Sequence, residues 1–425
     1  FRRRRFDTRL WMEKAPFLAL AIAGGLVNLS VQKSFGATTP PHPWSLFAKV
    51  CFASYALLTY VAKLFLPIHL SGVYPYPAAG AAIPARFTAA FLAVLVLLPL
   101  TILLLRRKRP ALFGIAFFFI NIVLVLQLVT VGTALLADRF TYLPYIGLFL
   151  AMAWPLDDKG AAGHFRTLRR ALAAFFVLLG IFSVTQTWAR CKVWHDPETF
   201  WTDAIRKFPG EIVPAYVNRA NYYREKGQLE QARRDYDQAV ALNPEIGSVW
   251  YYRGTVLAEL GQTDSAMVSF DRALEREPGR VSALNDRGAL RLRKGDIQGA
   301  IQDLSHLIQL DSLVWSAYSN RALAWSKLGQ YDKAVADARR AVTLEPRNPA
   351  NADVLAQAGA DLLGAGRPRE AVAAYTQAIA LARRDHAAPF YMGRSRAWAA
   401  SGDRERARAD QRAAEQLGRQ PADTR

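Results

Sequence analysis

Cysteine is scarce in this 425-residue chain, and acidic residues are scarce in its first half. The two cysteines, Cys51 and Cys191, lie far apart without CxxC spacing, which excludes a disulfide framework and a cysteine zinc site. The sequence also lacks a GxGxxG fingerprint after a strand, a Walker loop, a Gly-x-Ser-x-Gly elbow and an HExxH motif. Nucleotide-binding, kinase and hydrolase functions are therefore not indicated.

Positive charge exceeds negative charge mainly in the first half. Residues 1–212 hold 23 Lys and Arg against 9 Asp and Glu, a balance of +14, and residues 213–425 hold 31 against 26, or +5. Nucleic-acid binding would need a basic stripe on a soluble module, and since the sequence shows none, no nucleic-acid partner is predicted. The excess instead fits membrane topology and contact with anionic lipids.

Long apolar blocks fill the first half. Most of them reach the roughly 20 residues that cross the hydrocarbon layer, and the fifth is short. The six blocks are Ala15–Val31, Trp44–Leu66, Phe87–Leu105, Ala111–Leu136, Tyr142–Trp154 and Ala171–Trp188. We expect an integral membrane protein. Because the chain opens on Phe1 and four arginines, without an initiator Met or a signal-peptide pattern, we expect it to begin inside a larger protein.

The basic loops predict the orientation of these blocks. Arg106–Arg109 and residues 159–170 are separated by two blocks, so both are expected on the cytoplasmic side. The segment around Asp138 and everything after Arg190 then lie on the other side. Three simple spans would place the initial arginines opposite Arg106–Arg109. One of the first two blocks is therefore expected in the interface, and which one is left open.

The stretch Ala137–Gly147 carries the main polar signal of this half, because Asp138 is the only carboxylate between Glu13 and Asp157. A charged couple of Asp138 and Arg139 at a membrane boundary is costly and favours a function, although an ion pair that anchors a helix end explains it equally well. Asp138 is the only candidate here for a catalytic base. The candidates for binding a lipid phosphate or a lipid-linked donor are Arg139, Tyr142, Tyr74 and Arg86, the last also explained as an ordinary flanking arginine.

The second half repeats every 34 residues. The repeated positions are Gly227, Gly261, Gly295 and Gly329, together with Ala232, Ala266, Ala300 and Ala334. This period, with prolines that close three of the units, is the signature of tetratricopeptide repeats, in which small residues let two helices approach closely. Repeats are predicted at Val213–Ile246, Gly247–Arg280, Val281–Val314 and Trp315–Asn348, with looser ones near Ala352–Asp385 and Ala388–Pro421.

The predicted fold is all-α. It comprises a polytopic transmembrane helical bundle over residues 1–190, a junction with a capping half-repeat over residues 191–212, a tetratricopeptide-repeat α-solenoid over residues 213–421 and a tail over residues 422–425.

A charged pattern follows the same register. The seventh position is Arg219, Arg253, Arg287, Arg321 and Arg394, and the twenty-third is Asp235, Asp303, Asp337 and Asp410. Ser269 replaces one aspartate, and the fifth repeat has alanine at both positions, Ala358 and Ala374. The joint loss predicts an Arg–Asp pair that bridges the two helices of a repeat. On a protein surface such a pair contributes only about 0–1 kcal/mol.

The concave surface of a repeat stack is its usual binding surface. The candidates for binding a peptide there are Asn218, Asn221, Tyr251, Asn285 and Asn320. That they are ordinary solvent-exposed polar residues is an equally good interpretation. The predicted partner of the repeats is therefore a protein or peptide.

Several segments together resemble one family. LFLPIHLSGVYPYP, RRKRP, LVTVGTALLADRFTYLPYIGLFLAMAW and a Trp-His-Asp junction are similar to bacterial relatives of the transmembrane and tetratricopeptide-repeat-containing protein O-mannosyltransferases. The resemblance covers nearly the whole chain. It implies transfer of a sugar, mannose in the eukaryotic members, from a polyprenyl-phosphate carrier to a Ser or Thr hydroxyl, with a divalent metal as an option in the complete enzyme.

The same resemblance places the family's acidic catalytic residues in a first exoplasmic loop, and no paired acidic motif precedes Asp138 here. Two functions compete. The chain is part of a membrane glycosyltransferase that binds lipid and a polyprenyl-phosphate-linked sugar, or it is a non-catalytic, membrane-anchored repeat scaffold. We favour the transferase, because an anchor needs only one span. No cofactor is identified, and the expected location is the bacterial inner membrane with the repeats on the periplasmic side.

Overall fold

The structure is a computed structural model, and it describes residues 44–77, 82–126, 134–157, 164–383 and 386–419 with a few isolated positions before residue 44. The first predicted block, Ala15–Val31, is thus described only at isolated positions. Contacts divide the chain into two compact parts, residues 1–222 and residues 223–425. The boundary falls inside one helix, Val213–Glu225.

The first part is mainly helical. Its helices are α1 (Leu46–Phe65), α2 (Ala85–Leu105), α3 (Arg109–Ile122), α4 (Tyr142–Asp157), α5 (His164–Val193), α6 (Pro197–Lys207) and the start of α7 (Val213–Glu225). Two short strands, β1 (Tyr74–Pro75) and β2 (Ala134–Leu136), pair antiparallel. Two 3-10 helices lie at Val123–Val125 and Asp138–Thr141.

Three helices are long and apolar enough to cross a membrane: Leu46–Phe65, Ala85–Leu105 and Arg170–Val193. Arg109–Ile122 and Tyr142–Ala153 are apolar but shorter. The fourth predicted block is divided, because α3 ends at Ile122 and β2 begins at Ala134. A helix of 14 residues is about 21 Å long, which is less than the roughly 30 Å of a hydrocarbon layer.

Helices α3 and α4 approach each other through two glycines. A Cβ on Gly114 would lie 2.8 Å from the backbone nitrogen of Ala151, and one on Gly147 would lie 2.7 Å from that of Phe118. Both distances are too short for a side chain, so only glycine allows this backbone contact. The hydrophobic core of this part centres on α1, where Cys51, Phe52 and Tyr60 are buried.

The described residues of the rest of the chain form helix pairs. After α7 come α8 (Leu229–Leu242), α9 (Gly247–Glu259), α10 (Thr263–Arg276), α11 (Val281–Lys294), α12 (Ile297–Leu310), α13 (Trp315–Lys327), α14 (Tyr331–Leu344), α15 (Pro349–Gly364), α16 (Pro368–Leu381), α17 (Ala388–Ala400) and α18 (Arg404–Arg419). The prediction of two helices per 34-residue repeat is confirmed. The fifth pair begins at Pro349, three residues before the predicted start, because Asn348 caps α15 and proline suits its first turn.

The repeating glycines occupy the turns between paired helices. Each has a positive φ, from +70° to +85°, a conformation that favours glycine. After α11, the amide of Asp296 bonds the carbonyl of Arg291 at 2.9 Å across Gly295, which closes the helix end. The repeating alanines Ala232, Ala266, Ala300 and Ala334 are fully buried, as their predicted role at the close helix contact requires.

The positive φ at these turns should make them sensitive to replacement of glycine by alanine. Gly295→Ala should destabilise the repeats by about 1 kcal/mol, because a side chain is strained at φ +85°. Gly364→Ala is the matched control: nothing lies within 4 Å of a Cβ at either site, and Gly364 is helical. The control should be neutral or stabilising. Equal effects in thermal unfolding of the two variants would contradict the assignment.

The predicted Arg–Asp pair exists, and it is buried rather than at the surface. Arg287 donates to both oxygens of Asp303, with Nε–Oδ2 2.8 Å and Nη2–Oδ1 2.6 Å. The side chains are 16% and 6% exposed. The Nη1 atom of Arg287 also bonds Asp271 of the preceding repeat at 2.7 Å. One arginine therefore joins two helices of its own repeat and the repeat before it.

Two other repeats have the same geometry, and a third differs in one partner. Arg321 bonds Asp337 at 2.7 and 2.9 Å and Ser305 of the preceding repeat at 3.1 Å. Arg394 bonds Asp410 at 2.7 and 2.8 Å and Thr376 at 3.1 Å. Arg253, which faces Ser269 where the others face aspartate, bonds that hydroxyl at 2.7 Å and Asp237 of the preceding repeat at 2.6 Å.

The first helices of the repeats line the inner face of the second part. Consecutive first helices α11, α13, α15 and α17 contact one another, whereas each second helix contacts chiefly its own partner and the next first helix. The stack therefore curves towards its first helices. We call the surface formed by α9, α11, α13 and α15 the first-helix face.

Candidate functional site

Asp138 lies in a polar cluster formed by three segments of the first part. Its Oδ1 atom is 2.9 Å from Nζ of Lys63, at the end of α1. The hydroxyl of Tyr74 donates to the same carboxylate, at 3.0 Å to Oδ1 and 3.2 Å to Oδ2. Lys63 also contacts the Tyr74 hydroxyl, and the amide of Ser71 donates to that hydroxyl at 2.7 Å. We call Lys63, Tyr74 and Asp138 the boundary cluster.

Burial raises the pKa of Tyr74 well above its usual range, and the nearby carboxylate of Asp138 raises it further. The phenol therefore stays protonated and serves as a donor to Asp138. Lys63 supplies the opposite charge, so the carboxylate is held as an ion pair with both oxygens hydrogen-bonded. This arrangement positions Asp138 firmly. Its use as a catalytic base stays a prediction.

The other candidates of the first part are dispersed. The Arg86 guanidinium lies over the rings of Phe87 and Tyr55, at 4.9 and 5.8 Å. Tyr142 begins α4 and is 79% exposed. The side chain of Arg139 lies outside the described residues. Of the donor-binding candidates, the structure thus brings Tyr74 to Asp138, and the binding roles of all four stay predictions.

Sequence reasoning missed Lys63 as the partner of Asp138. Lys63 lies inside the apolar block Trp44–Leu66, and the two residues are 75 positions apart in the sequence. The sequence did offer one signal for this pair: Lys63 is a charged residue near the end of one apolar block, and Asp138 is a charged residue of opposite sign between two others.

A second charged centre, Asp203 on α6, ties the junction to the loop that carries Tyr74. Its carboxylate bonds Arg190 at the end of α5 and Lys207, each at 2.6 Å. Lys207 also donates to the carbonyl of Leu70 at 2.6 Å, and the rings of Phe208 and Tyr74 are 5.6 Å apart. The loop before β1 is therefore held by α6.

This junction should weaken at acid pH. Burial raises the pKa of Asp203, but hydrogen bonds from Lys207 and Arg190 and their charges outweigh it, so the pKa is lowered. Because the folded pKa lies below the unfolded value of about 3.9, the stabilisation is present above that pH and is lost as the pH falls below it. Hydrogen exchange of α6 amides at stepped pH should show opening below about pH 4. Asp203→Asn should remove this pH dependence, and an unchanged profile in the variant would contradict the role.

On the first-helix face, three of the predicted binding residues belong to one hydrogen-bonded network. The hydroxyl of Tyr251 donates to Asp286 Oδ2 at 3.0 Å, and Asn285 Nδ2 donates to Asp286 Oδ1 at 3.2 Å. Ser316 and Asn320 donate to Asn285 Oδ1 at 3.2 and 3.4 Å. The network crosses α9, α11 and α13, and its amides and hydroxyls can exchange these bonds for those of a peptide backbone.

Asn218 and Asn221 lie on α7, in the first part of the chain. Asn218 Nδ2 donates to the carbonyl of Pro214 at 2.8 Å, one turn earlier in its own helix. Asn221 is half-buried. Sequence reasoning missed Asp286 and Ser316, although both occupy first-helix positions next to predicted ones. Among the described residues, no group of three or more His, Cys, Asp or Glu is arranged to hold a metal ion.

Comparison with known proteins bears on the repeats. Two tetratricopeptide repeat family models match the chain, one over residues 217–281 and the other over residues 315–348. No curated protein gives a significant match to the chain.

Several solved structures are similar to part of the chain. YrrB, described as a TPR protein with an unusual peptide-binding site, is 20% identical with a TM-score of 0.40, over 48% of this chain and 97% of its own. A MamA protein is 22% identical with a TM-score of 0.38, over 40% and 92%. A tetratricopeptide repeat protein from Parabacteroides merdae is 21% identical with a TM-score of 0.38, over 52% and 87%. These likenesses say nothing about function.

The family matches fall inside the predicted repeats, and the helix pairs, the positive-φ glycines and the buried alanines all follow their register. The second part of the chain therefore contains tetratricopeptide repeats, and the elements that the structure describes in this part are all helices.

Proposed function

We propose that the chain is a membrane-anchored scaffold whose tetratricopeptide repeats bind a segment of another protein along the first-helix face. The single observation that carries the proposal is the network of Tyr251, Asn285, Asp286 and Asn320, which spans three consecutive repeats. Its polar groups bond one another across neighbouring helices, so a peptide backbone that enters can replace these bonds without leaving buried groups unpaired.

The membrane part of the proposal rests on the three long apolar helices of the first part. Their outer faces carry exposed leucine and valine, for example Leu92, Val96 and Val177, a composition suited to lipid. The basic loops favour an inner-membrane protein with its repeats on the periplasmic side.

A groove-blocking variant tests the binding proposal. Asn285→Trp/Asn320→Trp fills the first-helix face, and Gln238→Trp/Gln302→Trp places the same bulk on exposed second-helix positions. Each full-length protein is cross-linked to its bound proteins and extracted in detergent. The wild type and the control should retain their partner proteins. The groove variant should lose them. An identical set of proteins on all three would contradict the proposal.

A second candidate function is glycosyl transfer from a lipid-linked donor, with the repeats delivering the acceptor. The boundary cluster favours it, because a plain anchor does not need an ion pair of Lys63 and Asp138 beside its apolar helices. Asp138→Asn and Arg139→Ala should each abolish turnover of a polyprenyl-phosphate donor by the intact protein. Wild-type turnover in both variants would leave this stretch a structural role only.

A further inference from the structure

A cavity of about 520 Å³ opens on the first-helix face between the third, fourth and fifth repeats. Leu292 and Leu323 form an apolar floor, and Arg293 and Lys327 line the same cavity from neighbouring first helices. Leu292 is buried, whereas the two cationic side chains are exposed. The cavity is thus apolar below and positively charged at its edge.

The two cations have the same position in consecutive repeats, 34 residues apart. The equivalent position of the second repeat is Glu259, and this carboxylate is satisfied by Arg224 through contacts of 2.5 and 2.9 Å. Arg293 and Lys327 form no ion pair with any residue that the structure describes. At this repeat position the second repeat therefore has a carboxylate paired with an arginine, whereas the third and fourth repeats have cations without an acidic partner among the described residues.

One acidic residue, Asp361, also lines the cavity. Its Oδ1 atom accepts from Gln357 at 2.9 Å, and its Oδ2 atom accepts from Ser326. Both oxygens are therefore engaged, and the lining side chains retain a net charge of +1. A negatively charged occupant is complementary to this edge.

We propose that this cavity selects an acidic segment of the partner protein, with two carboxylates on Arg293 and Lys327 and an apolar side chain on Leu292 and Leu323. Neighbouring packed helices lie about 8–10 Å apart. In an extended polyproline-type chain, residues three apart lie on the same side at about 9 Å. The segment thus carries its acidic residues three positions apart. An anionic lipid headgroup offers the same charge but has no apolar side chain to place on Leu292 and Leu323.

This inference rests on the proposed function and narrows it. The probe is a fluorescein-labelled peptide, Ser-Pro-Ala-Glu-Leu-Pro-Glu-Ala-Pro-Ser, and its partner peptide has both Glu replaced by Gln. Binding to the full chain in an uncharged detergent is followed by fluorescence polarisation. The Glu peptide should bind at least fivefold more tightly than the Gln peptide, and salt should reduce the difference because it screens charge.

Charge reversal identifies the residues. Arg293→Glu/Lys327→Glu should lower the affinity for the Glu peptide at least tenfold. The milder Arg293→Gln/Lys327→Gln should lower it several-fold. The control, Arg234→Glu/Arg369→Glu, gives the same net charge on exposed second-helix positions and should stay within twofold of the wild type. Circular dichroism checks that each variant is folded.

Equal binding of the Glu and Gln peptides, or no effect of reversal, would overturn the acidic specificity. If the Glu and Gln peptides bind equally to the wild type and neither binds to Asn285→Trp/Asn320→Trp, the first-helix face binds polypeptide without acidic specificity. The proposed function would then hold without this inference. If neither peptide binds, and Arg293→Glu/Lys327→Glu instead lowers binding of the protein to phosphatidylglycerol vesicles, the inference is overturned in favour of a lipid contact.

Discussion

Replacing Arg287 with alanine is expected to destabilise the central repeats by about 3 kcal/mol, because the buried carboxylate of Asp303 loses two charge-assisted hydrogen bonds and one of its two cationic partners. Asp303 is 6% exposed and would keep only its contact with Arg291, at 2.9 Å. Asp271 of the preceding repeat would lose its arginine as well. Hydrogen exchange of the α11 and α12 amides in the full chain measures this local free energy.

A double-mutant cycle separates the ion pair from other losses. Arg287→Ala, Asp303→Ala and the double variant should give a coupling energy of about 1–3 kcal/mol, because the two side chains share bidentate hydrogen bonds. Arg272→Ala is the control, since Arg272 is 52% exposed and pairs with exposed Glu275. It should cost less than about 0.5 kcal/mol. Additive single effects at Arg287 and Asp303 would discard the pair.

Phe270→Ala is expected to cost about 3–5 kcal/mol in the same region, because it opens a cavity in a close-packed core. Phe270 is 1% exposed and packs with Leu257, Ala266 and Leu290. Its ring fills the space beside Gly254, where a Cβ would come within 2.7 Å of it. Thermal and urea unfolding of the repeats report the loss.

Two further variants sharpen this result. Val268→Ala changes a residue of the same helix that is 55% exposed, and it should shift the free energy of unfolding by less than about 0.5 kcal/mol. Gly254→Ala should destabilise the wild type, because the new methyl meets the ring, and should cost less when Phe270 is already alanine. An equal cost in both backgrounds would show that Phe270 does not fill the site as described.

The repeat architecture was predictable because it depends on local spacing. A period of 34 residues places a positive-φ glycine and a buried alanine at fixed points of each helix pair, and these positions need no knowledge of distant contacts. The Arg–Asp pair followed from the joint replacement of both partners by Ala358 and Ala374, which the structure buries. The register alone could not tell that the pair is buried.

Contacts between distant segments were not predictable from one sequence. Lys63 and Asp138 meet only because α1 and the segment after β2 pack together, and no spacing rule connects them. The second bond of each arginine, as from Arg287 to Asp271, depends on how one repeat docks on the next. The apolar count of Ala111–Leu136 likewise could not show that α3 ends at Ile122.

Site-specific photo-crosslinking in intact membranes tests the central claim, that the first-helix face binds another polypeptide, most directly. A photoreactive amino acid is placed at Asn320 on that face, and in a second variant at Gln238 on a second helix. We expect polypeptide adducts from Asn320 that disappear with Asn285→Trp, and few adducts from Gln238. Adducts that form from Gln238 alone, or only with lipid, would contradict the account.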